Sequence, residues 1–172
     1  MHEQPLDQPA NKDKAIPPHP EQAGQESEKT FEIFTSGVAP MDQVALAENP
    51  LFNFTPRIPF ESIQPEHVDP AVRAVLTQAR GVVDAVVGIE TPTFENTIVA
   101  LDVAIQAVHR CVETAEHILA VSHSDAWQEA VDSIIPLVAQ FQTEVVTHSG
   151  LFSVVSSLKG SDQYQNLSSG RR

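Results

Sequence analysis

From residue 69 onward, apolar residues return every three or four positions along a polar background. The first such run places Val72, Val75 with Leu76, Ala79, Val82 with Val83, and Val86 on one face, the spacing of an amphipathic α-helix. Asp69 stands where an N-cap is wanted and Pro70 at the first helical position, where a missing N–H costs nothing. Gly88 is expected to close this helix in a left-handed cap. A second helix opens with Thr93 as N-cap and Glu95 in its first turn, where the carboxylate complements the helix dipole. Its apolar residues Phe94, Ile98, Leu101, Ile105, Val108, Val112, Ala115 and Leu119 alternate steps of four and three, which predicts a seam against a nearly antiparallel neighbour. A third helix, opening at Asp125 with Gln128 in capping-box position, repeats the rhythm at Trp127, Val131, Ile134, Val138, Phe141 and Val145 and supplies that neighbour. Pro136 is expected to kink it and Gly150 to end it. "LFSVVSSLKG" then reads as a short fourth helix carrying Leu151, Val154, Val155 and Leu158 and stopping at Gly160. The predicted fold is all-α: an antiparallel helical layer or bundle of three long helices plus a short fourth.

The segments before residue 69 follow other rules. Residues 1–48 are rich in Gln, Glu, Pro, Lys and Asp, and the apolar cluster "FEIF" at Phe31–Phe34 is too short to make a core. Such a composition cannot offset the entropy of ordering itself and predicts a disordered, solvated acidic tail, the alternative being a partner-binding segment centred on "FEIF". Residues 49–68 carry prolines at 50, 56, 59 and 65, each fixing its own φ and pushing the preceding residue out of the helical region. Leu51, Phe52, Phe54, Ile58, Phe60 and Ile63 make this stretch too apolar for a free linker, so it is expected to lie extended and pinned along the helical body of residues 69–172. At the far end, "YQNLSSGRR" has a helix-start signal at Ser168 with no helix after it, which reads as a body truncated at its C-terminus.

Charge narrows the partners. A chain of 172 residues with a formal charge of -13 and one cysteine has room for one ordinary domain plus a tail. It lacks the basic stripe that phosphate binding requires, so no nucleic-acid partner is expected. Cys111 has no second thiol for a disulfide or a Cys-x-x-Cys site. The polar, proline-broken start is neither a secretory signal nor, with no arginine before Arg57, a mitochondrial leader. No apolar run reaches the roughly 20 residues that span a bilayer. These features predict a soluble, cytoplasmic protein with no membrane partner.

Candidate chemistry is sparse. His109, Glu113 and His117 fall at i, i+4 and i+8 on one side of the second helix, close to Cys111, and two histidines with a carboxylate suggest zinc. One-helix zinc sites place their histidines a single turn apart, whereas two turns separate these by about 12 Å, so the trio is expected to be a solvent-facing polar row. Cys111 lies beside the seam and is expected to be a packed side chain and not a nucleophile. His2-Glu3 has no second histidine to complete H-E-x-x-H, and G-x-G-x-x-G, P-loop and G-x-S-x-G patterns are absent. No catalytic, cofactor-binding or metal-ligating residue is therefore assigned.

Taken in order, "NPLF" at Asn49, "PFESIQPEHVDPAV" from Pro59 to Val72, "PTFENTIVAL" from Pro92 to Leu101 and "IIPLVAQFQTEV" from Ile134 to Val145 resemble the amino-terminal region of the thimet oligopeptidase family, which includes oligopeptidase A and dipeptidyl carboxypeptidase. The resemblance covers about the last two thirds of the chain. It implies a mostly helical zinc metallopeptidase that cuts short peptides in a channel between two lobes, with the amino-terminal helices walling that channel. It also implies that the zinc ligands and general base lie downstream, so that this chain, without its C-terminal catalytic lobe, is inactive alone and holds no cofactor. The acidic tail before Asn49 departs from the short start expected of bacterial members. The alternative function is a free-standing helical module that binds peptides or a partner without cutting. Counting apolar rows on the helices, we also expect an exposed apolar patch where another lobe would sit.

Overall fold

The computed structural model describes residues 48–52 and 57–166. The expected disordered tail lies outside the described residues except for Glu48, as do Phe54 and the start signal at Ser168. Three long helices and a shorter fourth build the body: α1 (Val68–Val87), α2 (Ala100–Val121), α3 (Asp125–Thr147) and α4 (Ser149–Lys159). A single turn, α5 (Asp162–Gln165), follows, and no strand occurs among the described residues. The all-α expectation of three long helices and a short fourth is borne out.

The short links Gly88–Thr93 and Ser122–Ser124 turn the chain back on itself, so α1, α2 and α3 run up, down and up. Val83 and Val86 near the end of α1 accordingly share a cluster with Ala100 and Leu101 at the start of α2 and Val145 at the end of α3. A larger core joins Val72, Val75, Leu76 and Ala79 of α1 to Ala104, Ala107, Val108 and Cys111 of α2 and to Trp127, Val131, Ile134 and Phe141 of α3. Leu51, Phe52 and Ile63 from the segment ahead of α1 belong to the same core. Fully burying side chains of this size is worth about 1.5–3 kcal/mol each before entropy is charged, which is why the segment is held in spite of its prolines.

That segment is held by a specific clasp. The Asn49 side chain is buried; its Nδ2 donates to the His67 carbonyl at 2.9 Å and its Oδ1 accepts the Leu51 N–H at 3.0 Å. One amide therefore ties the start of the segment to the beginning of α1 and shapes the turn that points Leu51 and Phe52 inward. Further on, the chain makes two 3-10 turns, Phe60–Ser62 and Pro65–His67, where uniform extension was expected.

Several local expectations are corrected. Asp69 does not cap α1, because the turn at Pro65–His67 runs straight into the helix and places Asp69 in its first turn; its carboxylate pairs with Arg73 at 2.8 Å, one turn on. Gly88 closes α1 at φ -81°, not in the left-handed region, and its N–H is shared between the Asp84 and Ala85 carbonyls at 3.2 Å each. The last turn tightens instead of reversing hand. The N-cap of α3 is Ser124, one residue before the expected Asp125; its Oγ accepts the Trp127 N–H at 3.3 Å. α3 passes Pro136 without a break and ends at Thr147, so Gly150 does not terminate it. Gly150 sits instead in the first turn of α4, where a Cβ would come within 2.8 Å of Val87 Cγ1. Its lack of a side chain lets α4 abut the end of α1.

Thr93 is the N-cap as expected: its Oγ1 accepts the Asn96 N–H at 3.1 Å, while Asn96 Oδ1 accepts the Thr93 N–H at 2.7 Å. The first turn, Phe94–Val99, is a wider π-helical one before α2 proper begins. The main neighbour of α2 is α1, with α3 second, which turns α2 from its expected orientation. Its buried side chains are the small Ala104, Ala107, Cys111, Thr114 and Ala115, together with Val108, and Thr97 is buried in the turn just before it. Phe94, Ile98, Leu101, Ile105, Val112 and Leu119 of the expected seam are only half-buried. On α3 the expected seam holds up to its last member: Trp127, Val131, Ile134, Val138 and Phe141 are buried and Val145 is half-buried.

Candidate functional site

Because α2 turns its small residues inward, its polar side faces out. Gln106, His109, Arg110, Glu113 and His117 lie along that side, and with Thr114 they form one wall and the floor of an open groove of about 560 Å³. The opposite wall comes from Ile58 and Phe60. Phe60 opens the 3-10 turn Phe60–Ser62, whose Ser62 N–H donates to the Pro59 carbonyl at 2.9 Å, and this turn holds the ring over α2. The Phe60 and His117 rings sit 5.7 Å apart, tilted by 53°. Phe60 is 45% exposed, so it presents an aromatic face to whatever occupies the groove. A groove of this volume with a partly apolar lining and a few polar groups is of the kind that holds small ligands or peptide side chains.

His109, Glu113 and His117 are all exposed along one row, as expected. Among the described residues no three His, Cys, Asp or Glu side chains are grouped so as to hold a metal ion. His2 and Glu3 lie outside the described residues. Cys111 points away from the groove, fully buried, with its thiol donating weakly to the Leu51 carbonyl at 3.7 Å. Burial pushes this thiol up to about 12, with the nearby Arg110 charge opposing the shift. It therefore stays protonated and works as packing. Sequence reasoning identified the histidine row but missed its opposite wall: Ile58 and Phe60 are read as core-pinned residues, and nothing local says that the Phe60 ring meets His117.

Two further features flank α3. Arg80 of α1 reaches Glu144 at 2.7 Å and lies over the Phe141 ring, 5.6 Å from its centroid. Hydrogen bonds from Arg80 and then from Gln140 hold the Glu144 carboxyl below its usual range. Between α2 and α3 lies an apolar cleft of about 110 Å³, lined by Ile105, Val108, Phe141, Val145 and Val146 with His109 and Gln142 at its margin.

Comparison with known proteins gives this framework a lineage. No protein-family model matches the chain, and no solved structure matches it. The chain is 31% identical over 120 residues to oligopeptidase A of Haemophilus influenzae, and 32% identical over 125 residues to oligopeptidase A of Salmonella typhimurium and to that of Escherichia coli. These matches take in 70–72% of this chain. The chain matches the amino-terminal region of the oligopeptidase A family. It spans 18% of the length of these oligopeptidase A relatives. Among the described residues no helix is long and apolar enough to cross a membrane.

Proposed function

We propose that this chain supplies the amino-terminal, channel-walling helical part of a zinc oligopeptidase that hydrolyses short peptides in the cytoplasm. The observation that carries the reading is the 31–32% identity to oligopeptidase A across some 70% of the chain. The groove on α2 fits the wall of such a channel, with Phe60 offering an aromatic face and the histidine row offering hydrogen-bonding groups. The described residues do not fit a zinc site, since His109 and His117 are two helical turns apart and no third ligand joins them. No catalytic, cofactor-binding or metal-ligating role is assigned to any residue here, and the zinc and its chemistry belong to polypeptide outside the matched region. In this reading residues 1–48 are a tail, 49–68 a segment pinned on the body, and 69–172 the lobe that meets the catalytic part and, with it, short peptides.

A second reading, a free-standing helical module that binds peptides or a partner without cutting, is favoured by one observation: the larger core joins residues from Leu51 to Phe141 within the chain. Two measurements separate them. The purified chain, with or without added zinc, is expected to leave short fluorogenic peptides uncut; zinc-dependent, chelator-sensitive cleavage would overturn the assignment. Grafting residues 49–166 in place of the matching region of Escherichia coli oligopeptidase A is expected to give a chimera that still cleaves them. An inactive chimera favours the free-standing module.

A further inference from the structure

Six large apolar side chains are prominently exposed among the described residues, and three of them fall close together in sequence: Val146 (82% exposed), Phe152 (76%) and Val155 (36%). Val146 also rims the apolar cleft between α2 and α3. Val145, on the cleft wall, and Leu101, one turn before Ile105 of the cleft, pack against the cluster of Val83, Val86 and Leu151, the last at the base of α4. The cleft and α4 therefore occupy one end of the bundle. Isolated exposed apolar residues need no explanation, but exposed apolar side chains on α3 and α4 at the same end of the bundle as an apolar cleft mark a surface that another body covers.

We propose that this end of the bundle is the seat of the remaining polypeptide of an oligopeptidase: an apolar side chain from that polypeptide enters the α2/α3 cleft beside Val146, and Phe152 and Val155 are covered with it. This rests on the proposed function. The occupant follows from two observations. The matched region makes up 18% of the relatives' length, so in those proteins the corresponding helices share a chain with a far larger partner. A second copy of this chain is a poor occupant, because a formal charge of -13 on each makes two copies repel. The polar groove on α2 is left open by this arrangement to face the channel.

The chimera with Escherichia coli oligopeptidase A tests it. Val146→Asp and Phe152→Asp are each expected to lower its peptidase activity by about tenfold or more, as loss of a buried interface anchor does, or to split its single melting transition in two. In the isolated chain both side chains are exposed, so the same substitutions are expected to leave its melting midpoint unchanged. Val121→Asp, equally exposed at the far end of α2 (73%), is the control and is expected to leave the chimera unaffected. If the unsubstituted chimera is active and both substitutions leave activity and melting unchanged, the seat is elsewhere and the family reading stands. If the unsubstituted chimera is inactive, both fall. A fall in the isolated chain's melting midpoint as large as in the chimera, or an isolated-chain dimer abolished by the substitutions, would also overturn the inference.

Discussion

α2 and α3 carry the same four-three rhythm, yet α3 buries all of the residues that the rhythm selects except Val145, and α2 only Val108 and Ala115. α3 meets α1 and α2 along one stripe, so its apolar row and its buried row coincide at Trp127, Val131, Ile134, Val138 and Phe141. α2 packs chiefly on α1 and also on α3, and it presents alanine, threonine and cysteine at the centre of that contact. Small side chains let two helix backbones approach, while the larger Ile105 and Val112 fill the margins. The difference teaches that apolar periodicity locates the stripe a helix buries where large side chains fill the contact, whereas where two helices approach closely side-chain size decides which face is innermost.

Substitutions that shrink a side chain give the largest test of this contrast. Ile134→Ala on α3, fully buried, is expected to cost about 2–5 kcal/mol, and Ile105→Ala on α2, half-buried at the cleft, less than half as much. Urea melts of the two variants measure both, and equal losses would return Ile105 to the core. Enlarging a side chain gives the next effect. Ala107→Leu, at the α1 contact, is expected to cost about 1–3 kcal/mol, while Ala139→Leu on the exposed side of α3 stays within about 0.5 kcal/mol. A neutral Ala107→Leu in the same melts would show that α1 and α2 are not closely apposed.

The caps differ more finely. Thr93 and Asn96 exchange two hydrogen bonds at the start of the α2 segment, whereas Ser124 accepts one at 3.3 Å at the start of α3. Thr93→Ala is therefore expected to cost about 1 kcal/mol and Ser124→Ala less, an order that thermal melts can reverse. The smallest effect concerns pH. Arg80 depresses the Glu144 carboxyl, so its contribution is present above the ordinary carboxylate value of about 4.3 and is lost as pH falls through the lowered one. Glu144→Gln should make stability fall less steeply between pH 5 and 3, and the difference should shrink with salt because both partners are substantially exposed. An acid limb as steep as in the parent chain would mean that the pair does not form in solution.

The elements of the fold were legible because their signals are local: Thr93 sits beside the N–H groups it caps, and the α3 row faces one way. Asp69 misled because a helix start is decided by what precedes it, and the turn at Pro65–His67 had already begun the winding. Gly150 misled for the opposite reason, since its role is set by Val87 across the bundle and not by its neighbours in sequence. The groove was half legible. His109, Glu113 and His117 share a face by helical spacing alone, but Phe60 reaches them only through the fold, and no periodicity encodes that meeting.

The Asn49 clasp also bears on the order in which the molecule assembles. Hairpins of α1 with α2 and of α2 with α3 join residues close in sequence and close at small entropic cost, whereas the Leu51 carbonyl meets Cys111 from 60 positions away. The clasped segment should therefore dock last, onto helices already paired, like a strap drawn over a finished bundle. Asn49→Ala would then speed unfolding and leave the folding rate nearly unchanged, a φ-value near zero, whereas a value near one would make the strap part of the folding nucleus.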